Sequence, residues 1–184
     1  MLLEKIDRFD IFRPKMDSSK EVLHAIAAFE ADISPSFPYV NAELGGWDYN
    51  PANQVLLLKL SEGKWITLHP HQIAIRGIRD LEEAHALLEW IRGQINEIYE
   101  RRETISPRYV SQAGLKIMEI LKLLPMTNCK ACGYATCMAY AAALREGEIT
   151  LAACPPLWEE KYQEKRDKLE DYLQSYGWRA LDEF

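Results

Sequence analysis

Apolar residues fall along this chain in two different rhythms, and the rhythms separate its elements. In "DRFDIFRP" Phe9 and Ile11 share one face and Phe12 takes the other, which predicts a strand that Pro14 ends. "QVLLLKL" and "KWITLHP" read as two strands joined by the turn "SEGK", and "HQIAIRG" supplies a third run. The period then lengthens. From Asp80 to Arg102, Leu81, Ala84, Leu88, Ile91, Ile95 and Ile98 recur every three or four residues, the apolar stripe of a helix that covers a sheet. Asp80 followed by Glu83 resembles a capping box at its start. "SSKEVLHAIAAFEADI" also reads as a helix, capped by Ser18 or Ser19, with Val22, Ile26, Phe29 and Ile33 on one side. "PSFPYVNAELGGWDYNPAN" is punctuation in which "YVNAEL" makes one short helical turn.

Pro107 and the polar run "RRETISPRYVSQAG" interrupt this order, so a domain boundary is expected there. The expectation is an α+β domain, residues 1–108, with a small antiparallel sheet and packed helices. A helical domain, 109–184, follows it. In the second domain "LKIMEILKLL" runs into Pro125, and "CMAYAAALREG" forms another helix that Gly147 ends. Pro155-Pro156 then opens a long charged helix, "LWEEKYQEKRDKLEDYLQSYGW".

Composition narrows the function. With 48% hydrophobic residues in 184, the chain can bury one ordinary core, or one core and a small satellite. A net charge of −6 argues against nucleic acid, whose phosphates need a basic stripe. No apolar run approaches the ~20 residues needed to cross a bilayer, so no membrane insertion is expected. The opening "MLLEKIDRFD" lacks the pattern of a signal peptide, which predicts a cytoplasmic protein.

In a reducing compartment, a compact group of cysteines is read as metal-binding or redox-active before it is read as disulfide-bonded. All four cysteines of the chain, Cys129, Cys132, Cys137 and Cys154, follow the spacing C-x2-C-x4-C-x16-C. Structural zinc is one reading, since Cys132-Gly133 ends a knuckle-like C-x-x-C. Four-thiolate zinc sites, however, bring two short hairpins together, and here a whole helix separates the last two thiols. A compact loop with three thiols, plus a distant cysteine followed by proline, suits the larger iron–sulfur cluster better. A dithiol centre would leave two cysteines unused. Thr136 is placed to cap a helix starting at Cys137, and Pro155-Pro156 to start another after Cys154. Two helix N-termini would then face an anionic occupant. From Leu115 to Leu157 four basic groups stand against three acidic ones, so the acidity of the chain lies elsewhere.

The segment "LLPMTNCKACGYATCMAYAAALREGEITLAACPPL" resembles the small 4Fe–4S domain of the corrinoid iron–sulfur protein large subunit and of the B subunit of Rnf-type electron-transport complexes. The likeness covers about 35 residues and rests on Leu124, Pro125, Thr127, Asn128, Cys129, Cys132, Gly133, Thr136, Cys137, Tyr140, Ala141, Gly147, Cys154, Pro155 and Leu157. It implies that Cys129, Cys132, Cys137 and Cys154 ligate one 4Fe–4S cluster. "IFRPK", "PYVNAELGG" and "ITLHPHQIAI" are similar to the leader part of stand-alone (Fe–S)-binding proteins of anaerobic bacteria and archaea. Nothing resembles a corrinoid-binding barrel.

The expected function is therefore electron transfer, in anaerobic metabolism, to a redox protein partner such as a corrinoid or other low-potential enzyme. The α+β domain would recognise that partner. The competing reading is an interaction module with a purely structural metal site, iron–sulfur or zinc. A third is an enzyme with a substrate site near "ELGGWDYN" and "ITLHPH". No Ser-His-Asp set or carboxylate pair supports catalysis, so a carrier is preferred to an enzyme. Other features take ordinary roles. His69 and His71, two apart on one strand face, are packing or surface residues. Gly45-Gly46 is a turn. Tyr134 and Tyr140 pack beside the cysteines and shield them. Trp47, Trp65 and Trp90 belong to the core or a partner surface, and the charges between Glu159 and Asp171 form a solvated helix face.

Overall fold

A computed structural model describes residues 1–14 and 22–179. The chain divides into two compact units, Met1–Tyr109 and Val110–Phe184.

The first unit is α+β. Its strands are β1 (Arg8–Phe12), β2 (Leu23–Ala28), β3 (Asp48–Asn50), β4 (Val55–Lys59), β5 (Trp65–His69) and β6 (Gln72–Ile78). They form one sheet in the order β1-β2-β6-β5-β4-β3, with every pair antiparallel. Two helices, α1 (Phe37–Leu44) and α2 (Leu81–Glu100), share a core with the inner face of that sheet. The alternation of each strand sends Leu56, Leu58, Ile66, Leu68, Ile73 and Ile75 inward, where all are buried. On α2 the stripe Ala84, Leu88, Ile91, Ile95 and Ile98 meets them, whereas Leu81, expected on the same stripe, is 60% exposed. Asp80 caps α2 by accepting the N–H of Glu83 at 2.8 Å. The reciprocal arm goes one residue further back, where the Glu83 carboxylate accepts the N–H of Arg79 at 2.7 Å.

The helix expected over "SSKEVLHAIAAFEADI" is a strand instead. Ser18 and Ser19 lie outside the described residues, and Leu23–Ala28 is β2, paired on both edges by β1 and β6. The alanines are the reason. Local propensity favours helix, but Ala25 and Ala27 alternate into the core with 0% and 1% exposure. Such small side chains let α2 pack across β2 and β6. Two ladders of backbone hydrogen bonds and that packing outweigh a propensity worth tenths of a kcal/mol per residue.

At the turn between β4 and β5, Gly77 of β6 has φ +83°, and a Cβ there would lie 2.8 Å from the Gly63 carbonyl oxygen. Glycine is required by both conformation and space. A second constraint is polar. Asn96, 9% exposed on the inner side of α2, accepts the N–H groups of Leu2 and Leu3 at 2.8 and 2.7 Å and donates to the Leu3 carbonyl at 2.9 Å. Leu3 is thereby fully buried.

The second unit is helical: α3 (Ile117–Leu123), α4 (Cys137–Arg145) and α5 (Gln163–Ser175). Its core gathers Ile120, Leu121, Leu124, Tyr140, Leu144, Leu157, Leu169 and Leu173. Side chains satisfy the loose backbone ends. Lys165 donates to the Leu124 carbonyl at 3.1 Å past the end of α3, and Arg145 to those of Leu115 and Ala113 at 2.9 and 3.0 Å. The single long helix expected from Pro155 is broken. Pro155–Trp158 and Glu160–Tyr162 are short 3₁₀ turns, Glu159 between them is extended at ψ 143°, and α5 begins only at Gln163. At about 100° per residue, an unbroken helix would turn Leu157 some 120–160° away from Leu169 and Leu173. The break lets all three enter one core.

The first unit contains a complete core, so residues 1–109 expressed alone are expected to unfold in one cooperative thermal transition without iron. In that fragment Asn96→Leu strands the buried N–H of Leu3 and the half-buried one of Leu2, and is expected to cost about 2–3 kcal/mol by urea denaturation. An unchanged midpoint would deny Asn96 its part in holding the N-terminal residues.

Candidate metal centre

Cys129 and Cys132 lie on a loop that leaves the buried pair Leu124-Pro125 and ends at Thr136. Alternate residues of it are left-handed: Met126, Asn128 and Lys130 have φ of 61°, 48° and 62°, followed by Gly133 at 84°. For residues other than glycine this costs on the order of 1 kcal/mol each.

Two side chains fix the loop to α4. Asn128 Oδ1 accepts the N–H of Cys137 at 2.8 Å, and Thr136 Oγ1 accepts that of Ala139 at 3.1 Å. These bonds satisfy two of the first amides of α4, which also sets Cys137 in the first turn. Cys154 arrives from the opposite direction, between the 3₁₀ turns Leu151–Ala153 and Pro155–Trp158. Tyr140 of α4 holds that segment by donating its hydroxyl to the Thr150 carbonyl at 3.0 Å. Tyr134 packs edge-on against Tyr140, ring centroids 6.1 Å apart.

The four cysteines are free thiols, and they line one shared recess together with Thr127, Asn128, Lys130, Tyr134, Thr136 and Tyr140. Their burial is graded. Cys154 is buried, Cys132 and Cys137 are partly covered, and Cys129 is exposed. Hydrogen bonds from the Thr127 hydroxyl and the Ala131 N–H push the Cys129 thiol below its ordinary range. Burial pushes the thiol of Cys154 up, and likewise the hydroxyl of Tyr140. Among the described residues, no three His, Cys, Asp or Glu side chains group so as to hold a single metal ion. The four-thiol donor set, soft and spread over two chain segments, fits an iron–sulfur cluster.

Of the two helix N-termini expected to face the site, one is present. The segment after Cys154 is a 3₁₀ turn of four residues, and α4 has already committed the amides of Cys137 and Ala139 to side-chain caps. The pairing of His69 and His71 also changes: Pro70-His71 is the two-residue loop between β5 and β6, His69 pairs with Gln72, and His71 Nδ1 lies 3.1 Å from the Ala31 carbonyl. Gly45 is the left-handed cap that ends α1. Trp47 and Trp65 pack edge-on with the Lys59 ammonium over both rings, and Trp90 packs partly buried against the core. Asn128 is the residue whose role spacing did not reveal. Its side chain joins the two halves of the cysteine loop.

Asn128→Ala removes the bond to Cys137 and keeps a Cβ at positive φ, whereas Asn128→Gly removes the bond alone. Chelator competition is expected to show about tenfold weaker iron retention in the alanine variant, from the ~1–2 kcal/mol of an orphaned amide, with the glycine variant between it and the parent. Equal retention by all three would remove Asn128 from the site.

Comparison with known proteins bears on the same segment. Residues 124–156 match the family described as "Putative Fe-S cluster". The gamma subunit of the acetyl-CoA decarbonylase/synthase complex of Methanocaldococcus jannaschii is 47% identical over 55 residues, 30% of this chain and 11% of that subunit. The gamma subunit from Methanothermobacter thermautotrophicus is 46% identical over 56 residues, 30% of this chain and 11% of its own length. An uncharacterized protein of M. jannaschii is 41% identical over 61 residues, 33% of this chain and 27% of that protein. No solved structure matches. The chain thus spans about a tenth of the length of these gamma subunits.

Proposed function

We propose that this chain is an electron-transfer protein carrying one 4Fe–4S cluster on Cys129, Cys132, Cys137 and Cys154, and that it serves a low-potential anaerobic enzyme, such as a corrinoid protein. The observation that carries the reading is the shared recess: four free thiols, from the loop and the start of α4 and from a turn 17 residues after Cys137, line one recess at which Cys129 is exposed. The likeness to gamma subunits of an acetyl-CoA decarbonylase/synthase complex supports an anaerobic redox setting and protein partners. When bound, a 4Fe–4S cluster supplies one-electron chemistry. The residues around it do the remaining work. Tyr134 and Tyr140 line the recess beside the thiols and would exclude water from the inner wall.

The α+β unit is the proposed partner-recognition module, and the whole chain a carrier in preference to an enzyme. On the sheet face opposite α1 and α2, the pairing register places Lys59, Trp65, Arg76 and His24 in one row across four strands. Aromatic and cationic groups side by side are typical of protein-docking surfaces. No helix among the described residues is long and apolar enough to cross a membrane.

Anaerobic purification is expected to yield about four irons and four sulfides per chain. Dithionite should bleach the broad visible absorption reversibly and produce the EPR signal of a cluster reduced by one electron. One tightly held zinc without sulfide, or a cluster destroyed on reduction, overturns the carrier reading in favour of a structural interaction module.

A further inference from the structure

Three of the four thiols are anchored in the core of the helical unit, and one is not. Cys154 belongs to that core with 7% exposure, and Cys132 and Cys137 pack against it. Cys129 has no place in the cluster of apolar side chains, and every residue from Met126 to Ala131 is exposed. The side chain that would have to move to free a ligand therefore differs sharply among the four. Withdrawing Cys132, Cys137 or Cys154 disturbs packed neighbours. Withdrawing Cys129 breaks only its hydrogen bonds with the exposed Thr127 and Ala131 and disturbs no packed neighbour.

Resting on the 4Fe–4S reading above, we propose that the iron position held by Cys129 is the exchangeable corner of the cluster. It is the iron lost first on oxidation, and the position at which a small external thiolate can replace the protein's own ligand. Cys132, Cys137 and Cys154 form a three-point cradle that retains a [3Fe–4S] core. The chemistry balances. A [4Fe–4S]²⁺ core that gives one electron to ferricyanide and releases one Fe²⁺ becomes [3Fe–4S]⁺. The bonds of that iron to Cys129 Sγ and to three sulfides break, the sulfides stay with the three remaining irons, and the freed thiolate takes a proton from solvent. Return of Fe²⁺ with one electron from dithionite reverses the step.

The test uses the full-length holoprotein. One equivalent of ferricyanide in the presence of iodoacetamide is expected to release one iron of the four, to give the EPR signal of [3Fe–4S]⁺, and to alkylate Cys129 alone in the peptide map. Cys129→Ala, a change at an exposed position, is expected to assemble with about three irons. It should gain a fourth on addition of Fe²⁺, dithionite and 2-mercaptoethanol. Cys132→Ala and Cys137→Ala should retain no cluster. Simultaneous alkylation of all four cysteines, alkylation of another cysteine first, or a Cys129→Ala protein without iron overturns this inference while leaving a four-iron wild type intact. A wild type that never holds four irons overturns the 4Fe–4S reading itself, and the inference with it.

Discussion

Cys154 reaches the loop of Cys129, Cys132 and Cys137 because the turn before it hangs on one hydroxyl, that of Tyr140. This tyrosine is 1% exposed, fills the centre of the helical unit's core, and donates its proton to the carbonyl of Thr150. A buried hydroxyl needs a partner, and this bond supplies one while tying the chain before the Leu151–Ala153 turn to α4. Everything that defines the recess follows from that closure. α4 carries Cys137 at its first turn and Tyr140 one turn later, so one helix holds both a thiol of the near segment and the anchor of the far one.

The loop opposite works by the contrary principle. It buries little, and its conformation runs against local preference at Met126, Asn128 and Lys130. Such strain persists where the surroundings impose it, and here Asn128 and Thr136 impose it by bonding to the start of α4. Departures from local rules collect at functional sites, because a site needs geometry that no regular element offers. Four thiolates around one recess are themselves a cost, since like charges repel and burial disfavours the ionised form of Cys154. A bound cationic core would offset both penalties.

Much of this was legible in the amino-acid order, and the failures have physical causes. The β4–β5 hairpin, β6 and α2 could be read because each buries one face and solvates the other, so periodicity reports the fold directly. β2 could not. Its alanines are good helix formers, and what makes them a strand is the presence of β1, β6 and α2, none of which is local. β3 escaped because three residues, Asp48–Asn50, are too few to show alternation. The break at Glu159 escaped because it serves Leu157, Leu169 and Leu173 jointly, a requirement of packing and not of any one window of sequence. At the site, the four cysteines were legible from composition and spacing alone. Their graded exposure was not, because spacing says which thiols can meet and nothing about which of them the core will cover.

The two units also differ in how they close their energetic balance. The α+β unit has a sheet, two helices and a polar clamp at Asn96, and its core is assembled from apolar side chains throughout. The helical unit, Val110–Phe184, is of a size at which a hydrophobic core alone supplies only about 3–5 kcal/mol, and natural domains of that size add disulfides or a metal. Its three helices are short, and a cysteine occupies one of its buried core positions. Metal binding at such a place is folding energy as well as chemistry. A centre that stabilises its own domain must keep most of its ligands packed to do so, whereas a centre that exchanges electrons must come close to the surface on at least one side. Under the proposed ligation, the buried Cys154 and the exposed Cys129 would divide those two demands between them.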